Sequence, residues 1–220
     1  MSPMSARDEI ISRIQRSFAP AARSSADDHA AIPRDYVQSG TLDQKARLDL
    51  FEERVRDYGT EVYRCVTAQL PDAIAAAMNA AGVKSLVIAD DIGPNWLPSQ
   101  QKGSTAFSFI RDEGLSYEAL DRSEGILTTC AVAIALTGTI ILRHGRSGRR
   151  AITLIPDYHL CLVRASQLVE TVPEAIRELE LPSRSPITTI SGPSATADIE
   201  MTRIKGVHGP RRLAVILVTA

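Results

Sequence analysis

Apolar positions along the chain change period several times, and each change marks an element. Residues 5–18 (SARDEIISRIQRSF) place Ile10, Ile11, Ile14 and Phe18 at helical spacing, with Ser5 as N-cap. Residues 19–42 are rich in Ala, Ser, Asp and Pro and predict a loose linker. Residues 1–42 therefore read as an N-terminal helical arm and linker, and 43–220 as one α/β domain. From Asp43, the positions Leu48, Phe51, Val55 and Tyr58 share one helical face, and Gly59 supplies a stop. EVYRCV (61–66) alternates as a strand does. Residues 70–81 form an Ala-rich helix with Pro71 near its start, and VKSLVIA (83–89) reads as a strand buried on both faces. That is a β–α–β unit.

The middle of the chain is less regular. Residues 90–106 are loop-like, a short element follows near Phe107–Arg111, and SYEAL (116–120) suits a short helix. ILTTCAVAIA (126–135), TGTIILR (137–143) and AITLIP (151–156) all predict strands, the last two joined as a hairpin through HGRSGRR. YHLCLVR (158–164) predicts another strand. Thr171 caps a helix through VPEAIRELE, with Pro173 in its first turn. ITTI (187–190) and LAVILVT (213–219) are strands around a short helix expected near 196–204. The sum is an α/β fold with a mainly parallel sheet and one antiparallel hairpin insertion. Ligands of such sheets gather at the loops outside the carboxyl ends of the strands.

Composition adds mainly exclusions. The chain has 220 residues, enough for one large core, and 44% of them are hydrophobic. Net charge is −1, with no basic run, so no nucleic-acid partner is expected. The three cysteines, Cys65, Cys130 and Cys161, stand far apart, with no CxxC pair for zinc, redox chemistry or an iron–sulfur cluster. Few cysteines and no signal peptide suggest a cytoplasmic protein, and the apolar runs are too short for a membrane span. No GxGxxG, Walker loop, nucleophile elbow or HExxH occurs, and no cofactor or metal is expected.

Four places carry candidate chemistry. SGPS, with Ser191, Gly192 and Ser194, could present backbone N–H groups to an anion. However, Asp198 and Glu200 lie in the expected first helical turn and would repel phosphate, so capping by Ser194 or Thr196 is the stronger reading. On a helix those two acids would point about 200° apart and could not share one small pocket. In PDYHLC, Asp157, His159 and Cys161 have the same strand parity and could orient a nucleophile; a buried Cys and a hydrogen-bonded His are commoner. His208 sits between glycines, where backbone can approach a ligand. His144 opens the HGRSGRR turn among Arg143, Arg146, Arg149 and Arg150, which could hold an anion but more often form a solvated tip. Thr137, Gly138 and Thr139 mark a bare strand entry, either a bulge or a ligand-facing edge.

Three blocks, TGTIILRHGRSGRRAITLIPDYHLCLV (137–163), TVPEAI (171–176) and SGPSATADIEMTRIKGVHGPRRLAVILV (191–218), closely resemble the lactate-utilisation protein C family, which carries the LUD domain. IPRDY (32–36) fits as well, and 43–135 fits in general pattern. The resemblance makes 43–220 a LUD-type domain. It implies a three-layer α/β/α fold like that of the sugar-phosphate isomerases and coenzyme A transferases. It also implies a role with iron–sulfur partner proteins in oxidising L-lactate to pyruvate. With no cluster motif in this chain, the clusters would belong to the partners. Many family members carry an acid just before the Thr-Gly pair; here it is Leu136, so a carboxylate there is not available to this chain. Two expectations result: an accessory component of a lactate-oxidising system that also holds a small anionic ligand, or a stand-alone enzyme on a sugar phosphate, folate or coenzyme A ester.

Overall fold

The computed structural model describes residues 5–18, 29–98, 107–145, 148–179, 185–197, 203–205 and 208–219. The chain divides into two units, residues 1–36 and 37–220. In the first, helix α1 (Ala6–Phe18) starts where expected. Ser5 Oγ accepts the Asp8 N–H at 3.2 Å, and the apolar stripe of Ile10, Ile11 and Ile14 is exposed.

The second unit is built on a six-stranded, all-parallel sheet. Its spatial order is β1 (Glu61–Val66), β12 (Arg212–Thr219), β7 (Tyr158–Arg164), β4 (Ile126–Thr129), β2 (Ser85–Ile88) and β3 (Ser108–Arg111). Helix α2 (Gln44–Asp57) begins at Asp43, whose carboxylate accepts the Ala46 N–H at 2.8 Å. Its Leu48, Phe51 and Val55 are buried, following the predicted stripe. Helix α3 (Leu70–Ala81) has Pro71 in its first turn, and α4 (Tyr117–Asp121) is capped by Ser116. Helix α5 (Val172–Glu178) has a reciprocal cap, the Thr171 hydroxyl and the Glu174 carboxylate each satisfying the other's backbone N–H.

Alternation along the central strands splits the core. Leu160, Leu162, Ala214, Ile216 and Val218 face one side, with Ile74 and Met78 of α3 and Leu120 of α4. Cys161, Val163, Val215 and Leu217 face the other, where α2 and a smaller sheet cover them. The smaller sheet has the order β8 (Leu168–Val169), β5 (Val132–Ile134), β6 (Thr139–Arg143), β9 (Ile187–Ile190). Its outer face, Val132, Ile134 and Ile141, packs on Ala175 and Leu179 at α5. Helices thus flank the parallel sheet in a three-layer α/β arrangement, with the smaller sheet sharing one outer layer.

Three expectations fail here. The run 126–135 is two strands. β4 pairs with β7 in the parallel sheet, and beyond Cys130 the chain crosses to the smaller sheet, where β5 pairs antiparallel with β6. Both strands are buried, so apolar character runs unbroken across the corner. AITLIP is not a strand but a 3-10 turn over Arg150–Thr153. Its N–H groups bond locally, Ile152 to Arg149 O at 3.2 Å and Leu154 to Ala151 O at 3.1 Å, while Ile152 fills the core. The hairpin of β6 is therefore made with β5 through residues 135–138, not with 151–156. The helix expected near 196–204 is replaced by an antiparallel pair, β10 (Ala195–Ala197) and β11 (Arg203–Lys205), in which Thr196 opposes Ile204. Thr and Ile, being β-branched, suit extended backbone better than a helix.

Candidate functional site

At the amino ends of β7 and β12 lies a cleft of about 230 Å³, lined by His159, Ser191, Gly192, Ser194, His208 and Arg150 among others. Five predicted site residues thus converge there. Two turns build its rim. The Ser194 N–H donates to Pro210 O at 2.9 Å, and the Ser194 hydroxyl accepts the His208 N–H at 3.2 Å. Ser194 therefore ties the Gly192-Pro193 turn to the Gly209-Pro210 turn; with no helix following, it caps nothing. Gly192, with φ 84°, lies so close to Tyr58 that a Cβ would stand 2.5 Å from the tyrosine's own Cβ.

A hydroxyl chain leads into this rim. Thr137 Oγ1 lies 2.7 Å from Thr139 Oγ1, which lies 2.8 Å from Ser191 Oγ. Gly138 between them, at φ 59°, turns the chain from β5 to β6 and packs on α2, where a Cβ would meet Arg54 Cβ at 2.8 Å. The bare backbone at Gly138 serves helix packing, so it is neither a bulge nor an open edge.

His159 is 1% exposed, and its Nε2 lies 2.8 Å from Thr128 Oγ1, which also lies 3.7 Å from Cys161 Sγ. The imidazole and the Thr128 hydroxyl thus share one hydrogen bond inside the core. Burial lowers the imidazole to about 4 and pushes the Cys161 thiol up to about 12. Asp157 does not join them. It is exposed, 3.5 Å from Arg211, and its carbonyl takes the Arg212 N–H at 3.1 Å. The Asp–His–Cys parity therefore makes no nucleophile. The Tyr158 hydroxyl is buried with no partner among the described residues.

His144 is not part of a solvated tip. It is buried, with Nε2 2.6 Å from Thr188 Oγ1 and Nδ1 3.2 Å from Gly148 O, tying β6 to the strand beside it. Arg149 makes a two-pronged pair with Asp112 at 2.7 and 2.9 Å, which holds that carboxyl below its ordinary range. Arg150 donates to Thr153 Oγ1 at 3.0 Å. Asp198, Glu200 and Arg146 lie outside the described residues.

The opposite, carboxyl end of the sheet holds a larger cavity of about 710 Å³ that residue-by-residue reading missed. Asp90 and Asp91 follow β2, Thr129 and Cys130 end β4, Arg164 ends β7, and Gln167, Arg143 and Glu178 close the sides. The Thr129 hydroxyl donates to Asp91, and Gln167 Oε1 accepts the Arg164 N–H at 2.9 Å. The Arg164 guanidinium stacks over Trp96 at 4.7 Å, and Arg143 donates to Leu179 O. The signal was present in the sequence: an acidic pair directly after one buried strand, and an arginine ending another.

The fold is an open α/β domain built on a parallel sheet, with polar residues gathered at both ends of the strands. The LUD domain family model matches residues 48–218, and the chain belongs to that family. It is 44% identical over 192 residues to lactate utilization protein C of Deinococcus radiodurans, covering 86% of each chain. It is 28% identical to the protein of that name from Anoxybacillus flavithermus, covering 85% of this chain and 86% of that one. A crystal structure of a DUF162 family protein from D. radiodurans, solved at 1.70 Å, superposes with a TM-score of 0.66 at 42% identity, covering 81% of this chain and 99% of that one.

Proposed function

We propose that this protein serves lactate utilisation as an accessory component of a cytoplasmic system that oxidises L-lactate to pyruvate, working with iron–sulfur partner proteins. The observation that carries this reading is the 44% identity, over 86% of both chains, to a relative called lactate utilization protein C. The cysteines support assigning electron transfer to partners. Cys65, Cys130 and Cys161 are all buried in the core, and burial raises each thiol above its ordinary range, so none is a ready thiolate ligand. In this reading the amino-end rim of Thr137, Thr139, Ser191, Ser194 and His208 holds a small anion beside Arg150. Among the described residues no helix is long and apolar enough to cross a membrane.

Affinity capture of the tagged chain from lactate-grown cells tests the assignment. Iron–sulfur proteins should co-purify, and deletion should abolish growth on L-lactate while sparing growth on pyruvate. Unimpaired growth on lactate would overturn it.

A further inference from the structure

We infer that the amino-end cleft binds its anion together with a proton, which the buried ring of His159 takes up from solvent as the anion enters. This deepens the anion-holding reading of the rim and rests on it. His159 forms part of the wall of the cleft, and Arg150 and His208 line the same space. At about 230 Å³ the space admits only a small ligand, so a charge seated there stays close to the walls. Among the described residues no carboxylate lines the cleft, and Arg150 is the one permanently charged side chain that does.

The surroundings of the ring isolate this coupling. On β4, Ile126 lies in register with His159 and Thr128 holds Nε2; on β12, Leu213 lies in register with it, and none of the three is ionisable. β9 brings only Thr188, Thr189 and Ile190 to the cleft, with His144 behind Thr188. Cys161 lies two residues along β7, and burial keeps its thiol protonated. Asp157, just ahead of β7, is exposed and paired with Arg211. Arg150 and His208 are therefore the charged or titratable groups that share the cleft with the ring. With the cleft empty, burial holds the imidazole neutral and no neighbouring charge offsets it. An anion beside Arg150 supplies that charge, and an opposite charge within about 4–6 Å favours the protonated ring. The fold need not move to admit the proton, because the Thr128 hydroxyl can rotate and accept from the charged ring. Linkage makes the effect reciprocal: if anion binding draws in a proton, a lower pH tightens the anion.

L-Lactate serves as the probe, since a carboxylate stays ionised above about pH 5. Calorimetric titration of the purified full chain at pH 7 and pH 5.5 reads the affinity. Proton NMR of the four imidazole rings, assigned through single His→Gln variants, reads where the proton goes. The affinity should rise about three- to tenfold from pH 7 to pH 5.5. Over that range the His159 ring signal should titrate with L-lactate bound and move little without it. His159→Gln should still bind at pH 7 and lose the rise, whereas His208→Gln should keep the rise. Arg150→Gln should weaken binding by about tenfold at both pH values, and Arg164→Gln, at the far end of the sheet, should leave it unchanged. Where His159→Gln does not fold, the ring signals of the parent protein decide. A flat affinity, or a His159 signal that stays still with L-lactate bound, overturns the inference and leaves the anion seat standing. So does a rise removed by His208→Gln and kept by His159→Gln. Absence of binding up to about 10 mM, or binding lost in Arg164→Gln but kept in Arg150→Gln, overturns the seat and the inference together.

Discussion

The two ends of the parallel sheet are built on opposite plans. At the amino end, polar groups are mostly spent on one another: His159 on Thr128, Ser194 on two backbone partners, Thr139 on Thr137 and Ser191, Arg150 on Thr153. At the carboxyl end, Arg143, Arg164 and the exposed Asp90 line a larger space. A polar group satisfied inside the fold contributes to stability; one held ready costs little to remove and matters only when a ligand arrives. The difference teaches that the histidines and Gly-Pro turns, conspicuous in the sequence, also hold the fold together, whereas the plainer charged residues at the carboxyl end hold little of it.

That contrast can be broken by measuring stability end by end. The largest effect belongs to His159. Its folded value, about 4, lies below the ordinary 6.5, so the unfolded chain binds the proton more readily between those limits. Its stabilising contribution is complete above pH 6.5 and is lost as pH falls toward 4, by about 3 kcal/mol in all. Urea unfolding from pH 7 to 4.5 should show that slope, and His159→Gln should flatten it; an unchanged slope would assign it elsewhere. Next is Gly192→Ala. A new Cβ must displace Tyr58 and adopt a left-handed backbone, so a loss of about 1–3 kcal/mol is expected in the same assay. Ser194→Ala, which removes the acceptor for the His208 N–H, should cost about 1 kcal/mol. Smallest are Arg164→Gln and Asp90→Asn, each expected within about 0.5 kcal/mol of the parent protein. A loss above about 1 kcal/mol at either position would make the carboxyl end architectural too, and the contrast would collapse.

Much of the fold was legible because local and global signals agreed. Asp43, Pro71, Ser116 and the Thr171/Glu174 box announce helix starts by chemistry that acts within four residues, and the strands 61–66, 158–164 and 213–219 carry their burial in their own composition. What failed depends on partners distant in sequence. Nothing at Cys130 signals that the chain changes sheets, because the pairing of β5 is decided by β6 and β8. AITLIP has strand composition, yet Arg150 and Thr153 bond to each other and curl it. SATADIE carries helix-start chemistry, but pairing with 203–205 outweighs it. At the site, strand parity grouped Asp157 with His159 correctly along the chain. It could not show that Asp157 lies ahead of the strand, on the surface with Arg211. The carboxyl-end residues were invisible one at a time, since it is strand order that brings Asp90, Thr129 and Arg164 together.

The Ser194 tie has a practical corollary. Its two hydrogen bonds, to Pro210 and from His208, pin both feet of the β10–β11 excursion to each other. With the feet clamped, the connection between them no longer sets the position of β12, and lengthening it costs only the slow logarithmic rise of loop closure. That makes the β10–β11 hairpin a natural graft point: an epitope or fluorescent-label sequence spliced there should leave the six-stranded sheet in register and both ends of it open to assay.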